Sequence, residues 1–349
     1  MNDQATTPRA FLHIGLPKTG TTYLQSILWG HPEELRDQGL LLPGNHRRHL
    51  LASLDVREVA GLSLRPGNTE HPWQDLLDEA SAWPGDFLVT HEFFASASPA
   101  QVRRMVDDLA AYDVHVVITA RSVANLFPSR WQEWVKNGGR KSIDDYPPRD
   151  EYRPQDNWGW GSFDLADVLT RWSQVIDPSR IHVIAVDRTD EPGLLWERFA
   201  SVVGVDTSAI DHIDESVNTT LGVVEVELLR RINRHLSEFR SPGDRGHWIR
   251  RELAEGGWMP RRRAPIRVGP AKRADLLARS ERALELLSDG GYDVVGSLHA
   301  FRPRDDSSRR HPDDVTSEEM LGSATRLVAE MLSEIRRLAR ENEKLRNPR

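Results

Sequence analysis

An α/β fold is predicted, with one parallel sheet flanked by helices and a helical extension at the C-terminus. Three observations predict it. The strand-like segments are continuous apolar runs, as expected of strands buried on both faces. They alternate with segments of helical period. The first of them runs straight into a glycine-containing loop and then a helix.

Residues 10–15 (AFLHIG) form a short apolar run closed by glycine and read as the first strand. Residues 21–29 place Leu24, Ile27 and Leu28 at helical spacing. Residues 86–90 (DFLVT) and 114–120 (VHVVITA) are two further strands. Residues 123–135 follow as an aromatic helix in which Pro128 makes a kink or a turn. Residues 181–186 (IHVIAV) are a fourth strand, 194–203 another helix, and 225–239 are helical by period. Residues 140–162, with Pro147, Pro148, Pro154 and the pair Trp158 and Trp160, read as an ordered loop or lid.

The organisation expected is one α/β domain over residues 8–300, a linker over 301–317 rich in charge, proline and serine, and a helix over 318–349. In that helix Val328, Met331, Ile335, Leu338, Asn342 and Leu345 alternate by three and four, the a/d seam of a coiled coil with one polar a position. Glu341 at g would face Arg346 at e of a parallel partner. A homodimer through this helix, or a helix docked on its own domain, accounts for the pattern.

Composition narrows the function. Cysteine is absent from all 349 residues, which excludes disulfides, thiolate catalysis, iron–sulfur clusters and zinc ribbons. The net charge of −7 argues against nucleic acid as a partner. Mean hydropathy is −0.54 and no apolar run reaches the roughly 18–20 residues of a membrane span. Residues 1–9 lack a secretory apolar stretch, so a cytoplasmic protein is expected. Only five of the 46 basic residues are lysines, so the placement of each one carries information.

The strongest signal is Gly15-Leu-Pro-Lys18-Thr19-Gly20-Thr21-Thr22. A strand, loop and helix in this order gather main-chain N–H groups at a helix N-terminus and form an anion cradle. The spacing is P-loop-like, close to G-x-x-x-x-G-K-[ST], but Thr21 stands where the lysine belongs and Lys18 precedes Gly20. With no evident carboxylate for magnesium, nucleotide kinase or triphosphatase chemistry is the alternative reading, and a non-catalytic nucleotide-binding scaffold a third.

At Pro17-Lys18-Thr19-Gly20-Thr21-Thr22 the sequence resembles the sulfotransferases that use 3′-phosphoadenylyl sulfate (PAPS), whose 5′-phosphosulfate loop reads P-K-[ST]-G-T-T. The resemblance implies that Lys18 contacts the bridging oxygen of the donor, and that Thr19, Gly20, Thr21 and Thr22 hold its 5′-phosphate. The family's 3′-phosphate site is an arginine closing a later strand with a serine eight residues on, and Arg121 and Ser129 have that spacing. The late R-K-G-x-x-G-x-W segment of the cytosolic members has no counterpart, leaving Arg261–Arg263 or Arg267 as basic residues to complete that site. The pair Leu24-Gln25 after K-T-G-T-T points to the diverged bacterial branch.

A sulfuryl group moves by in-line displacement, and the attacking hydroxyl needs a base. His91 and Glu92 follow the strand 86–90 at the carboxyl edge, where open α/β sheets bind ligands. The family uses a histidine there in cytosolic members and a glutamate in carbohydrate-type members. Glu92 is preferred, with His91 retained; capping of the next helix is the structural alternative for both. The expected acceptor is a hydroxyl on a carbohydrate, glycolipid or secondary metabolite, stacked on Trp158 and Trp160 or lined by Trp131, Gln132, Trp134 and Lys136. His46 and His49 form H-x-x-H without a third ligand, and no metal is expected.

Overall fold

The computed structural model describes residues 7–187, 190–191, 193–210, 220–259, 265–305 and 309–346. The chain divides into two compact units. The first comprises Met1–Leu126, Pro147–Ser216 and Ala274–Arg304; the second comprises Phe127–Tyr146, Val217–Arg273 and Asp305–Arg349.

The first unit is built on a six-stranded, wholly parallel sheet, in the order β2-β3-β1-β4-β5-β6. The strands are β1 (Arg9–His13), β2 (Leu40–Leu41), β3 (Asp86–Thr90), β4 (Asp113–Ala120), β5 (Ile181–Ala185) and β6 (Asp293–Val295). Four of them fall on the expected apolar runs. The two edge strands, β2 and β6, are two and three residues long and too short to show a period.

Alternation along each strand sends neighbouring side chains to opposite faces, and here both faces are apolar. Phe11, Leu88, Val117 and Ile184 pack on one face with Leu24, Ile27, Leu28, Trp196 and Phe199 from the helices Thr21–Gly30 and Leu194–Val203. Ala10, Leu12, Phe87, Val89, Val116, Ile118 and Val183 pack on the other, with apolar residues of the helices Pro72–Ser81, Pro99–Asp108 and Leu165–Trp172. This double coverage is why the strands read as unbroken apolar runs. Burial of each Leu, Ile or Phe in them contributes roughly 1.5–3 kcal/mol.

Because β1 pairs with β3 on one side and β4 on the other, the chain leaves β1 toward one edge and later returns to the opposite one. A crevice outside the carboxyl ends of the strands is expected at such a reversal. The pairing extends past the regular strands there: Ile14 N donates to Val117 O at 3.0 Å, Leu16 N to Thr119 O at 2.8 Å, and His91 N to His13 O at 3.0 Å.

The second unit is organised around the helix Val223–Ile232, which stops at Asn233 rather than running to 239. Its buried Glu227 accepts two hydrogen bonds from Arg230, each 2.7 Å long. The side-chain amide of Asn233 donates to Val135 O and Gly139 O, both at 2.8 Å. The helix Val123–Lys136 matches the expected aromatic helix, with Pro128 inside it. The C-terminal helix Ser317–Arg346 packs its first part along Val223–Ile232. No helix among the described residues is long and apolar enough to cross a membrane.

Candidate functional site

The loop between β1 and the helix Thr21–Gly30 is shaped by three residues with positive φ: Gly15 at 54°, Lys18 at 68° and Gly20 at 87°. Gly15 also lacks space for a side chain, since a Cβ there would come within 2.4 Å of Thr21 Cγ2. Gly20 is the N-cap and carries no side-chain oxygen, so the first turn of the helix is not capped by a side chain. Lys18 holds a left-handed conformation that costs an L-residue about 1–2 kcal/mol.

Thr19 is buried, with its hydroxyl turned toward the sheet. That oxygen lies 2.5 Å from Leu16 O, 2.9 Å from Thr119 O and 2.8 Å from Thr119 Oγ1. Its single proton can serve one carbonyl while the oxygen accepts from Thr119. Thr19 therefore fastens the loop to β4 with its side chain and offers a ligand its main chain. Thr21 is buried beside Gly15, whereas Thr22 is exposed.

Around Gly15 the ends of β1 and β3 converge. An added Cβ would lie 3.5 Å from Glu92 Cβ and 3.6 Å from His13 Nε2. Glu92 thus stands against the loop, as the first residue of the short 3₁₀ turn Glu92–Ser96. His13, at the end of β1, is fully buried; its Nδ1 lies 2.8 Å from Thr90 Oγ1, which also accepts from Gln25 Nε2 at 3.4 Å. The shared proton between His13 Nδ1 and Thr90 Oγ1 can belong to either atom. His13 Nε2 is a buried atom with no hydrogen-bond partner among the described residues, and it carries the imidazole proton when the Thr90 hydroxyl donates to Nδ1.

His91 is also buried, and its Nδ1 accepts from Phe93 N at 3.1 Å, capping the turn. The remaining proton is on its Nε2. Burial, opposed by the nearby Glu92 carboxylate, pulls both His13 and His91 down from 6.5 to about 4. Burial likewise lowers His49 to about 3, despite its hydrogen bonds: Nδ1 accepts from Thr90 N at 3.0 Å and Nε2 donates to Pro43 O at 2.7 Å. All three are neutral at pH 7, and both nitrogens of His49 serve main-chain groups rather than a metal. No group of three or more His, Cys, Asp or Glu among the described residues is arranged to hold a metal ion.

The turn bearing Glu92 is clamped from behind. Arg57, fully buried, donates to Phe93 O at 2.8 Å and Asn157 Oδ1 at 2.6 Å. Arg171 donates to Ala95 O at 2.8 Å and Gly161 O at 2.5 Å, and the Tyr152 hydroxyl donates to Ser96 O at 2.8 Å. Burial lowers Arg57 to about 10, which leaves it charged at neutral pH. Neither arginine carried a sequence signal, because an isolated arginine reads as a surface residue. Gln25 was visible only as half of the Leu24-Gln25 pair.

The other expected residues distribute as follows. Arg121 directly follows β4 on the same sheet edge as the loop and is half-buried. Ser129, also half-buried, lies in the part of the helix Val123–Lys136 that belongs to the second unit. Trp131 is core, and Lys136 pairs with Glu255 at 2.9 Å, both in the second unit. Trp160 is buried, with the Arg279 guanidinium 3.7 Å from its ring centroid, so its face is occupied by the protein itself. Trp158 is half-buried. Arg261–Arg263 lie outside the described residues, and Arg267 pairs with Asp314 at 2.9 Å.

No family model and no curated protein matches this chain. Among solved structures it is similar to the crystal structure of a sulfotransferase from Alicyclobacillus acidocaldarius, at 18% sequence identity and a TM-score of 0.42, covering 70% of this chain and 97% of that one.

Proposed function

We propose that this chain is a sulfotransferase that moves a sulfuryl group from 3′-phosphoadenylyl sulfate to a hydroxyl on a small molecule or glycan. The observation that carries the reading is the meeting of Glu92 and His13 with Gly15 of the loop. It brings a carboxylate beside a loop whose motif holds its lysine before, rather than after, the second glycine. A triphosphatase loop would need its lysine at position 21, where this chain has a buried threonine.

In this reading the amides of Thr19 to Thr22 and the helix N-terminus hold the 5′-phosphate. Lys18 neutralises the charge that develops on the bridging oxygen as the bond from sulfur to that oxygen breaks. Arg121 presents a planar fork to the 3′-phosphate. Glu92 accepts the proton of the acceptor hydroxyl while its oxygen bonds to sulfur, leaving adenosine 3′,5′-bisphosphate and a sulfate ester. Between the two candidate bases the hydrogen bonds favour Glu92. His91 has committed Nδ1 to the Phe93 amide, and its Nε2 carries the proton, which makes it a donor.

Transfer of radiolabelled sulfate from PAPS to a panel of hydroxyl acceptors, including extracts of the native host, tests the reading. Labelled ester that depends on both Lys18 and Glu92 supports it. Absence of transfer, together with magnesium-dependent ATP turnover, would assign the loop to phosphoryl chemistry.

A further inference from the structure

We propose that the C-terminal helix joins two copies of this chain in a parallel, in-register coiled coil. The helix Ser317–Arg346 has two halves with different surroundings. Its first part is held within its own unit: Ser323 and Leu327 are buried, the helix packs along Val223–Ile232, and Arg310 forms two 2.6 Å hydrogen bonds with Glu319 near its start. Beyond Leu327 the helix continues for 19 residues, and its apolar side chains are uncovered, from 40% exposed at Met331 to 81% at Leu345. A helix of this length is marginal by itself in water and draws its stability from packing an apolar face.

The pattern of that face selects the occupant. Val328 and Ile335 take a positions, and Met331, Leu338 and Leu345 take d positions. Branched a residues with unbranched-at-Cβ d residues favour two strands. The structure extends the seam one heptad toward the N-terminus, since Leu321 is also exposed and falls at a. Asn342 occupies the last a position. In a parallel pair it meets its own copy and can hydrogen-bond to it, whereas an antiparallel pair would bury it against an apolar side chain. Glu341 at g and Arg346 at e are complementary only between parallel chains in register.

Charge argues against a lipid surface. Between positions 330 and 346 four glutamates interleave with five basic residues, whereas a membrane-binding helix carries a predominantly basic polar face. Within the helix Arg337 pairs with Glu334 and Glu341, keeping the flanks of the seam polar and the helix continuous.

The absence of cysteine makes the test direct. The purified full chain is expected to sediment as a dimer. Ile335→Asp, which would place unpaired charges in the seam, should raise the dimer dissociation constant by about 100-fold or more. Leu345→Cys provides the second readout. Parallel, in-register copies bring the two sulfurs together at a d position and should form one disulfide-linked dimer under mild oxidation, which reductant reverses. A monomer at micromolar concentration, its apolar face kept for another protein, overturns the proposal. So does a dimer that survives Ile335→Asp, which would use another surface. A dimer sensitive to Ile335→Asp in which Leu345→Cys does not cross-link would be antiparallel and would overturn the register.

Discussion

His13 Nδ1 lies 2.8 Å from Thr90 Oγ1, linking the carboxyl ends of two neighbouring parallel strands beneath the loop. The link holds the imidazole with its Nε2 beside Gly15, which Glu92 also abuts. A buried polar nitrogen without a partner costs about 1–3 kcal/mol, and we expect a bound ligand to supply that partner. His13→Phe keeps an aromatic ring against Phe199, whose ring centroid is 5.1 Å away, and removes the unpartnered Nε2 together with the Nδ1 contact to Thr90. We expect kcat to fall by roughly 10-fold or more with little loss of thermal stability. Unchanged turnover would show that the His13 ring nitrogens serve neither Glu92 nor the transferred group.

Acid should destabilise the fold before the carboxylates titrate. His13 and His91 are held near 4 and His49 near 3 by burial, against 6.5 in an unfolded chain. Above pH 6.5 all three are neutral in both states. As pH falls below 6.5 the unfolded chain takes up protons that the fold refuses, so stability declines progressively toward pH 4. At about 1.4 kcal/mol per unit, each histidine contributes roughly 3 kcal/mol to that decline. The urea midpoint followed from pH 7 to 5 checks this, and a flat profile would mean these rings are hydrated in solution.

Lys18 should be separable from the loop that carries it. Its φ of 68° suits glycine, so Lys18→Gly removes the ammonium while relieving backbone strain. The melting temperature should hold or rise, and turnover should fall by at least about 100-fold, the scale of losing one transition-state charge contact. Gly15→Ala should lower both: the added methyl meets Thr21 Cγ2 and the loop itself is lost. Circular dichroism melts beside kinetics distinguish the two cases.

Glu92→Gln and His91→Asn test which side chain takes the proton. The first should reduce kcat by about 10²–10⁴-fold, the usual worth of a general base. In the second, asparagine can still accept from the Phe93 amide, and a reduction under about 10-fold is expected. The reverse ranking in steady-state rates would transfer the role to His91.

How much of this was legible in the sequence depends on where the determining contacts lie. The motif at 15–22 is local, and so are the four long strands, because each is a contiguous apolar run. β6 was hidden by its length, and the helix Pro270–Asp289 by composition: its buried stripe is Leu276, Ser280, Ala283 and Leu287, in which two of four residues are small. The clamp on the Glu92 turn was not legible at all. Arg57 reaches Asn157 across 100 residues of sequence, and Arg171 reaches Ala95 across 76. No local pattern can report such pairings. Trp160 shows the opposite error: its glycine-flanked position suggested a ligand platform, but Arg279 from a distant helix covers its ring.

We propose that the loop at Gly15–Thr22 and Arg121 together hold a nucleotide bearing both a 5′- and a 3′-phosphate. Isothermal titration with adenosine 3′,5′-bisphosphate, with and without magnesium, tests it most directly. Saturable binding is expected that needs no metal and weakens about 10-fold or more in Arg121→Ala, while nucleotides lacking the 3′-phosphate bind that variant and the parent alike. No heat of binding from adenosine 3′,5′-bisphosphate, or a preference for magnesium ATP, would contradict it.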